Sequence, residues 1–231
     1  MSLLDARGLT KHYSGLKAVD GVDFALEPGE LHALIGPNGA GKTTLVSLLS
    51  GRILADQGRL RFDGADITRL SAHQRVRRGI AYTFQITSIY PRHSVRENVE
   101  LALLSRRGAK SEAEAALDRV GLLDRAEDLA GTLSYGHQRL LELAMGLALA
   151  PKLLILDEPT QGLAAGEIDR FRALIASLVP QTTVLMIEHN MEVVMDLAQR
   201  ITVLNFGKVL AQDTPAEIRA NAQVQEAYLG V

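Results

Sequence analysis

The sequence predicts an α/β fold built on a parallel sheet, and three observations predict it. LLIL at residues 153 to 156 and TVLMI at residues 183 to 187 are continuous apolar runs, the pattern of strands covered on both faces. Strand patterns alternate with helical ones through the second half of the chain, which implies parallel strands joined by helical crossovers. An apolar strand, ELHALIG, runs straight into a glycine-rich stretch, GPNGAGKTT, and out into the helical TLVSLLSG. With 231 residues, of which 47% are hydrophobic and 23% charged, the chain can bury a sizeable core.

In chain order, LLDARGL, VDFAL and ELHALIG read as strands, with Glu27-Pro28-Gly29 as a turn. TLVSLLSG is a helix stopped by Gly51, and GRLRFDG is a strand bounded by Gly58 and Gly64. Ser71 with Gln74, Ser94 with Glu97, Ser111 with Glu114 and Thr214 with Glu217 each fit a capping box at a helix start, the last with Pro215 at the first helical position. From Pro91 to Ala150 the pattern is almost wholly helical. After it come the strand KLLILDE, the helix EIDRFRALIASL, the strand TTVLMIE, the helix MEVVMDLAQ and the strands ITVLNFG and KVLAQD. Arg75, Arg77 and Arg78 form a small basic cluster that reads as a solvated helix face.

Composition narrows the function. A net charge of −2 gives no electrostatic reason to expect nucleic acid. The absence of cysteine excludes disulfides and thiolate metal sites. MSLLDARGLTK lacks the apolar core of a signal peptide, and LLELAMGLALAPKLLIL is broken by Glu142, Pro151 and Lys152, too interrupted for a membrane span.

The chemistry-bearing motifs are phosphate-directed. GPNGAGKT matches G-x-x-x-x-G-K-[ST] in full. Gly36, Gly39 and Gly41 let successive N–H groups turn toward phosphate oxygens, with Pro37, Asn38 and Ala40 between them. Lys42 supplies a positive charge for β- and γ-phosphates, and the hydroxyl of Thr43, followed by Thr44, can ligate Mg²⁺. LLILDEP places Asp157 and Glu158 at the carboxyl end of a buried strand, where Asp157 can hold Mg²⁺ and Glu158 can polarise a water. Gln85 follows the strand GIAYTF, where its amide can reach metal and water; His189 follows TTVLMIE, where its imidazole can donate to a γ-phosphate oxygen. Tyr13, in the turn-like KHYSGLK, can stack on a base or simply pack. LSYGHQR, residues 133 to 139, reads as a helix start with a small cap, a second place where an anion can sit.

These parts, in this order, resemble the nucleotide-binding subunit of ABC transporters from end to end. The resemblance implies a P-loop NTPase core with a parallel sheet, an N-terminal antiparallel β-subdomain and an inserted helical subdomain. It implies a single domain over 1–231, with core 1–86 and 151–231 and the insert at about 87–150. It implies ATP and Mg²⁺ as ligands, with Mg²⁺ on Thr43, Gln85 and Asp157. Tyr13 becomes the base-stacking aromatic, residues 36–44 the Walker A loop, Gln85 the Q-loop residue, Glu158 the catalytic base and His189 the switch histidine. Ser134, Tyr135, Gly136 and His137 become the signature motif, which covers the nucleotide of a second ATPase subunit in a head-to-tail dimer. That answers why one chain carries two phosphate sites.

The chain departs from the family pattern at two places. The usual LSGGQ is LSYGH here, with Tyr135 and His137 as the changes, and the short motif after Glu158 carries Ala164 where the family places an aspartate. KHYSGLKAVDGVDF, IEHNMEVVMDLAQRITVLNFGKV and TPAEIRANAQVQEAYLG are similar to the branched-chain amino-acid uptake subfamily. Its relatives import branched-chain amino acids, urea, short amides or aromatic acids. The implied partners are a second ATPase subunit, either a copy of this chain or a different one, transmembrane permeases and, indirectly, a periplasmic substrate-binding protein; the implied location is the cytoplasmic face of the membrane. ITSIYPRHSVREN, which mixes Ile86, Ile89 and Tyr90 with Arg92 and Arg96, is either a permease-facing surface or packing within the insert. An exporter or lipopolysaccharide-type extractor ATPase shares every motif. A soluble DNA-repair or translation ATPase of the superfamily usually adds long coiled coils or a second ATPase domain.

Overall fold

The computed structural model describes residues 2–83, 88–104 and 110–229. The chain opens on β1 (Leu4–Tyr13) and β2 (Leu16–Leu26), which pair antiparallel and join β4 (Gln57–Phe62) and β5 (Ala65–Asp66) in a sheet of order β2-β1-β4-β5. The second sheet has the order β10-β9-β3-β8-β7-β6. Its members are β3 (Leu31–Ile35), β6 (Ile80–Thr83), β7 (Leu153–Asp157), β8 (Thr183–Ile187), β9 (Arg200–Asn205) and β10 (Lys208–Asp213). β9-β3-β8-β7-β6 are parallel neighbours, and β10 closes the edge as an antiparallel hairpin with β9.

Strand alternation sorts the apolar side chains into two cores. On one face of the second sheet Ala33, Leu154, Leu156, Val184, Met186 and Val203 pack with the helices. On the other Leu34, Leu153, Ile155, Leu185, Ile187 and Leu204 pack with the first sheet and with α1 (Lys42–Ser50). Both faces are therefore covered, which is why the strand sequences are unbroken apolar runs.

Between β6 and β7 lie α3 (Val95–Leu103), α4 (Lys110–Arg119) and α5 (Tyr135–Ala148). Val95, Val99, Ala113, Leu117, Leu141 and Ala144 form their shared apolar seam. α6 (Ala165–Leu178) and α7 (Met191–Leu197) cover the same face, and α8 (Pro215–Ala220) and α9 (Ala222–Leu229) end the chain. Ser94 caps α3 and Thr214 caps α8, each accepting from the backbone N–H of the glutamate three residues on. Ser111 is not a cap: α4 already includes Lys110, so Ser111 lies inside its first turn. β1 extends beyond LLDARGL, and Tyr13 is its last residue, paired with Leu16 across the Ser14-Gly15 turn.

The basic cluster also differs from a solvated face. Arg75, on the short helix α2 (Ala72–Val76), is only 1% exposed. Its guanidinium donates to the carbonyls of Leu48 (2.5 Å) and Leu49 (2.9 Å) in the last turn of α1, and to those of Thr68 and Leu70. A cation at that end suits the helix dipole and satisfies carbonyls that the helix leaves open. Burial pushes the Arg75 pKa down to about 10, so it stays charged near neutrality. A basic residue in a cluster of three reads as solvated because helical periodicity alone does not show that a neighbouring helix end needs donors. Arg75→Met removes a donor from each of four carbonyls, and a urea titration is expected to show about 3 kcal/mol of lost stability. A loss below about 0.5 kcal/mol, the level of ordinary surface changes, would contradict this role.

Candidate functional site

Parallel pairing brings the site together. Leu34 of β3 and Asp157 of β7 both flank Ile187 of β8 in register, so the three strands end at one edge. The segments that follow them carry Gly36 onward, Glu158, and Glu188-His189. A cavity of about 450 Å³ opens there, lined by residues 38–44, by Glu158 and His189, and by Tyr13, Leu16 and Phe206 at its mouth. The structure thus brings Tyr13, Asn38, Gly39, Ala40, Gly41, Lys42, Thr43, Thr44, Glu158 and His189 to one place.

The glycines are forced by contact as well as by curvature. A Cβ at Gly36 would stand 2.2 Å from the Leu204 carbonyl oxygen, and one at Gly41 2.2 Å from that of Ala18. Gly41 has φ 103 and precedes α1 without a side-chain cap, so the first N–H groups of that helix face the cavity end. Lys42 is folded back across the loop, its Nζ donating to the carbonyls of Gly36 (2.7 Å) and Pro37 (3.0 Å). Burial lowers the Lys42 pKa, and the charges of Glu158 and Asp157 oppose that shift.

Glu158 has φ 49, a strained backbone for a residue with a side chain. Its N–H is held by the Ile187 carbonyl at 2.9 Å, and its Oε1 meets Nε2 of His189 at 3.0 Å. Asp157 is buried, and burial raises its pKa; the hydrogen bond from Tyr82 acts in the opposite direction. Thr43 and Asp157 offer hard oxygen donors of the kind Mg²⁺ takes. Gln85, the third expected metal contact, lies outside the described residues, as does Ile86. Among the described residues no cluster of three or more His, Cys, Asp or Glu forms a metal site by itself.

Three supporting residues escaped sequence reasoning. Tyr82 donates its hydroxyl to Oδ2 of Asp157 at 2.5 Å and in turn accepts from Arg52 at 3.1 Å. Glu188 is 3% exposed and its carboxylate accepts from four donors. Oε1 takes the N–H (2.9 Å) and hydroxyl (2.5 Å) of Thr160, and Oε2 takes the N–H groups of His189 (2.8 Å) and Asn190 (3.1 Å). Glu188 therefore locks the segment after Glu158 to the one carrying His189. Its only sequence signal is its place directly before His189. Phe206, at the cavity mouth, is the third.

Ser134, Tyr135, Gly136 and His137 stand elsewhere. Ser134 is the N-cap of α5, accepting from the His137 N–H, and its Oγ also meets His137 Nδ1 at 2.9 Å. Gly136 and His137 line a different cavity, of about 270 Å³, between α5 and α6. The ring of Tyr135 lies against Gly162, where an added Cβ would come within 2.8 Å of it, and the Arg139 guanidinium sits 5.4 Å from the ring centre. Tyr135 thus rests on the loop that follows Glu158 in its own chain. Ala164 carries no carboxylate there; its N–H is taken by Glu167 at 2.9 Å.

A nucleotide-shaped loop, a paired carboxylate and imidazole, and a mixed sheet with a helical segment between β6 and β7 define a P-loop ATPase of the cassette type. The chain belongs to the ATP-binding family of ABC transporters, whose "ABC transporter" model matches residues 19–161. A second model, "Branched-chain amino acid ATP-binding cassette transporter", matches residues 208–231. The chain is 41% identical to the high-affinity branched-chain amino acid transport ATP-binding protein LivG of Escherichia coli strain K12, covering 99% of this chain and 98% of that one. It is 39% identical to the BraF protein of the same description from Pseudomonas aeruginosa, with the same coverage. It is also 34% identical to the lipopolysaccharide export system ATP-binding protein LptB of Haemophilus influenzae, over 100% of this chain and 98% of the other. Among solved structures it matches an ATP-binding cassette of an ABC transporter in its ADP conformation, with TM-score 0.90, 28% identity and full coverage of both chains. The expected fold class holds: a parallel sheet with an antiparallel N-terminal sheet and helices, as in those cassettes.

Glu188→Gln replaces an oxygen that accepts with an amide that donates, setting like groups against each other around a buried site. Turnover is expected to fall about tenfold while nucleotide affinity stays within about twofold, measured by steady-state hydrolysis and by nucleotide titration. An unchanged kcat would show that His189 and Glu158 need no such lock.

Proposed function

We propose that the chain is the ATP-hydrolysing subunit of an importer for branched-chain amino acids or chemically related small molecules such as urea, amides or aromatic acids. One observation carries the two-subunit part of this reading. The chain holds a P-loop cavity and a separately placed capped helix start at Ser134, and the two do not line one cavity. A second subunit turned head to tail supplies what each lacks. The match over residues 208–231 and the high identity to LivG and BraF favour import of this cargo class over lipopolysaccharide export.

In this reading the N–H groups of residues 39–44 and the Lys42 ammonium hold the β- and γ-phosphates, and Tyr13 meets the base. Thr43 and Asp157, with Gln85, would hold Mg²⁺, which when bound neutralises phosphate charge. Glu158 takes a proton from a water whose oxygen forms the new bond to the γ-phosphorus; the bond to the bridging oxygen breaks, and ADP and phosphate leave. His189 orients Glu158 at 3.0 Å and donates to a γ-phosphate oxygen. The partner's signature completes the cage through its Ser134 hydroxyl, Gly136 N–H and helix dipole, with Tyr135 and His137 flanking them.

The division into a core (1–86 and 151–231) and a helical insert (about 87–150) follows the same reading. The insert faces the transmembrane permeases, which in turn receive cargo from a substrate-binding protein. Tyr90 is 53% exposed and suits such a contact, whereas Ile89 packs on the core and Arg96 pairs with Glu114 and Glu127. No helix among the described residues is long and apolar enough to cross a membrane. Peripheral attachment at the cytoplasmic face, through permeases rather than lipid, fits that.

Glu158→Gln keeps the P-loop but removes the base. Its solution mass is expected to double on adding Mg-ATP, with hydrolysis lost by about 100-fold or more. Retained turnover would overturn the role of Glu158, and a monomer with ATP bound would make a different chain the second subunit.

A further inference from the structure

Phe206 is the most exposed large apolar side chain among the described residues, at 85%. It also has φ 46, a left-handed backbone that costs a bulky residue energy. Neither cost is repaid by packing, yet the segment carrying it is firmly held. Phe206 sits at the tip of the β9–β10 hairpin, and the Gly207 N–H donates to the Ala40 carbonyl of the P-loop at 2.9 Å. The Gly207 carbonyl accepts from the Asp20 N–H on β2, also at 2.9 Å. A Cβ at Gly207 would stand 2.8 Å from the Lys17 carbonyl oxygen, so the tip is pressed against both neighbours. The backbone is thus tied to the phosphate loop while the ring projects at the mouth of the same cavity as Tyr13 and Leu16.

Tyr13 is 46% and Leu16 68% exposed, so apolar and aromatic side chains line the same cavity as the phosphate loop. A molecule that meets both kinds of lining has a polyphosphate and a flat apolar group. Aromatic faces hold nucleobases through stacking, which any base satisfies. We propose that Phe206 is a second aromatic wall of the nucleobase subsite, so that Tyr13 and Phe206 together grip the base of the bound nucleotide. The proposal rests on the nucleotide-binding reading above and deepens it. Lys17, which lines the cavity, lies 3.4 Å from Asp20, and Lys11, whose Nζ is 5.6 Å from the Tyr13 ring centre, is held by Asp56 at 2.7 Å, so both cations are already paired and the subsite recognises the base by its faces and takes adenine and guanine alike.

The chain has no tryptophan, so Phe206→Trp installs a single reporter. Mg-ATP and Mg-GTP are expected to quench its emission by about half, as stacking on a base does, while inorganic tripolyphosphate, which has no base, leaves it unchanged. Phe206→Ala is expected to weaken ATP binding about tenfold by calorimetry and tripolyphosphate binding less than about twofold. Equal losses for the two ligands would overturn the proposal and make the tip a mere brace for the P-loop. So would tryptophan emission that ignores ATP although ATP and tripolyphosphate both bind. An emission change that tracks protein concentration instead of nucleotide would assign Phe206 to a contact between copies, again overturning it. If neither ligand binds the unmodified chain, the nucleotide site itself falls, a distinguishable failure.

Discussion

The register of three parallel strands is the constraint on which the rest depends. β3, β8 and β7 end together because Leu34 and Asp157 both flank Ile187. A one-residue slip of β7 would turn Asp157 to the other face of the sheet and carry Leu153 and Ile155 out of their core. The register is held by two apolar faces at once, since alternate side chains of each strand feed different cores. Packing remote from the chemistry therefore sets where a carboxylate, an imidazole and a phosphate loop meet.

Buried charge does the finer placement. Lys42 spans its own loop by two carbonyls, Glu188 gathers four donors from two segments, and Arg75 closes the end of the helix that Lys42 begins. Each is costly to bury and stable only because hydrogen bonds occupy most of its donors or acceptors. Such groups lose more when a partner is removed than they add when intact, so they act as rigid fasteners. The positive φ of Glu158 fits the same picture: the peptide is held by the Ile187 carbonyl in a conformation it would not choose alone.

Much of this was legible in the residues. Unbroken apolar runs marked the buried strands, the glycine-lysine loop marked the phosphate site, and Ser-x-x-Glu and Thr-x-x-Glu patterns marked the starts of α3 and α8. What stayed hidden depends on contacts between distant segments. Nothing local distinguishes Arg75 from Arg77 and Arg78; the difference is that α1 ends beside it. Tyr82 has no local signal beyond its place in a strand, yet its hydroxyl donates to Asp157 on the neighbouring strand. Tyr135 and Ala164 read as two separate departures from the family pattern. In the fold Tyr135 rests on Gly162, two residues before Ala164, so both changes fall on one seam. Ser111 fails as a cap because α4 already includes Lys110, so Ser111 has helical backbone where a cap needs an extended one.

Mixing two inactive variants shows whether the signature segment of one chain serves the phosphate loop of another. Lys42→Ala and Ser134→Ala chains, each expected to be inactive alone, are mixed and assayed for ATP hydrolysis. If the segments act across the dimer, a heterodimer regains one site with Lys42 from one chain and Ser134 from the other. The mixture should then recover up to about a quarter of unmodified turnover, because half of the dimers carry one of two sites. If the mixture stays as inactive as its components while heterodimers demonstrably form, each chain works with its own signature and the account is wrong.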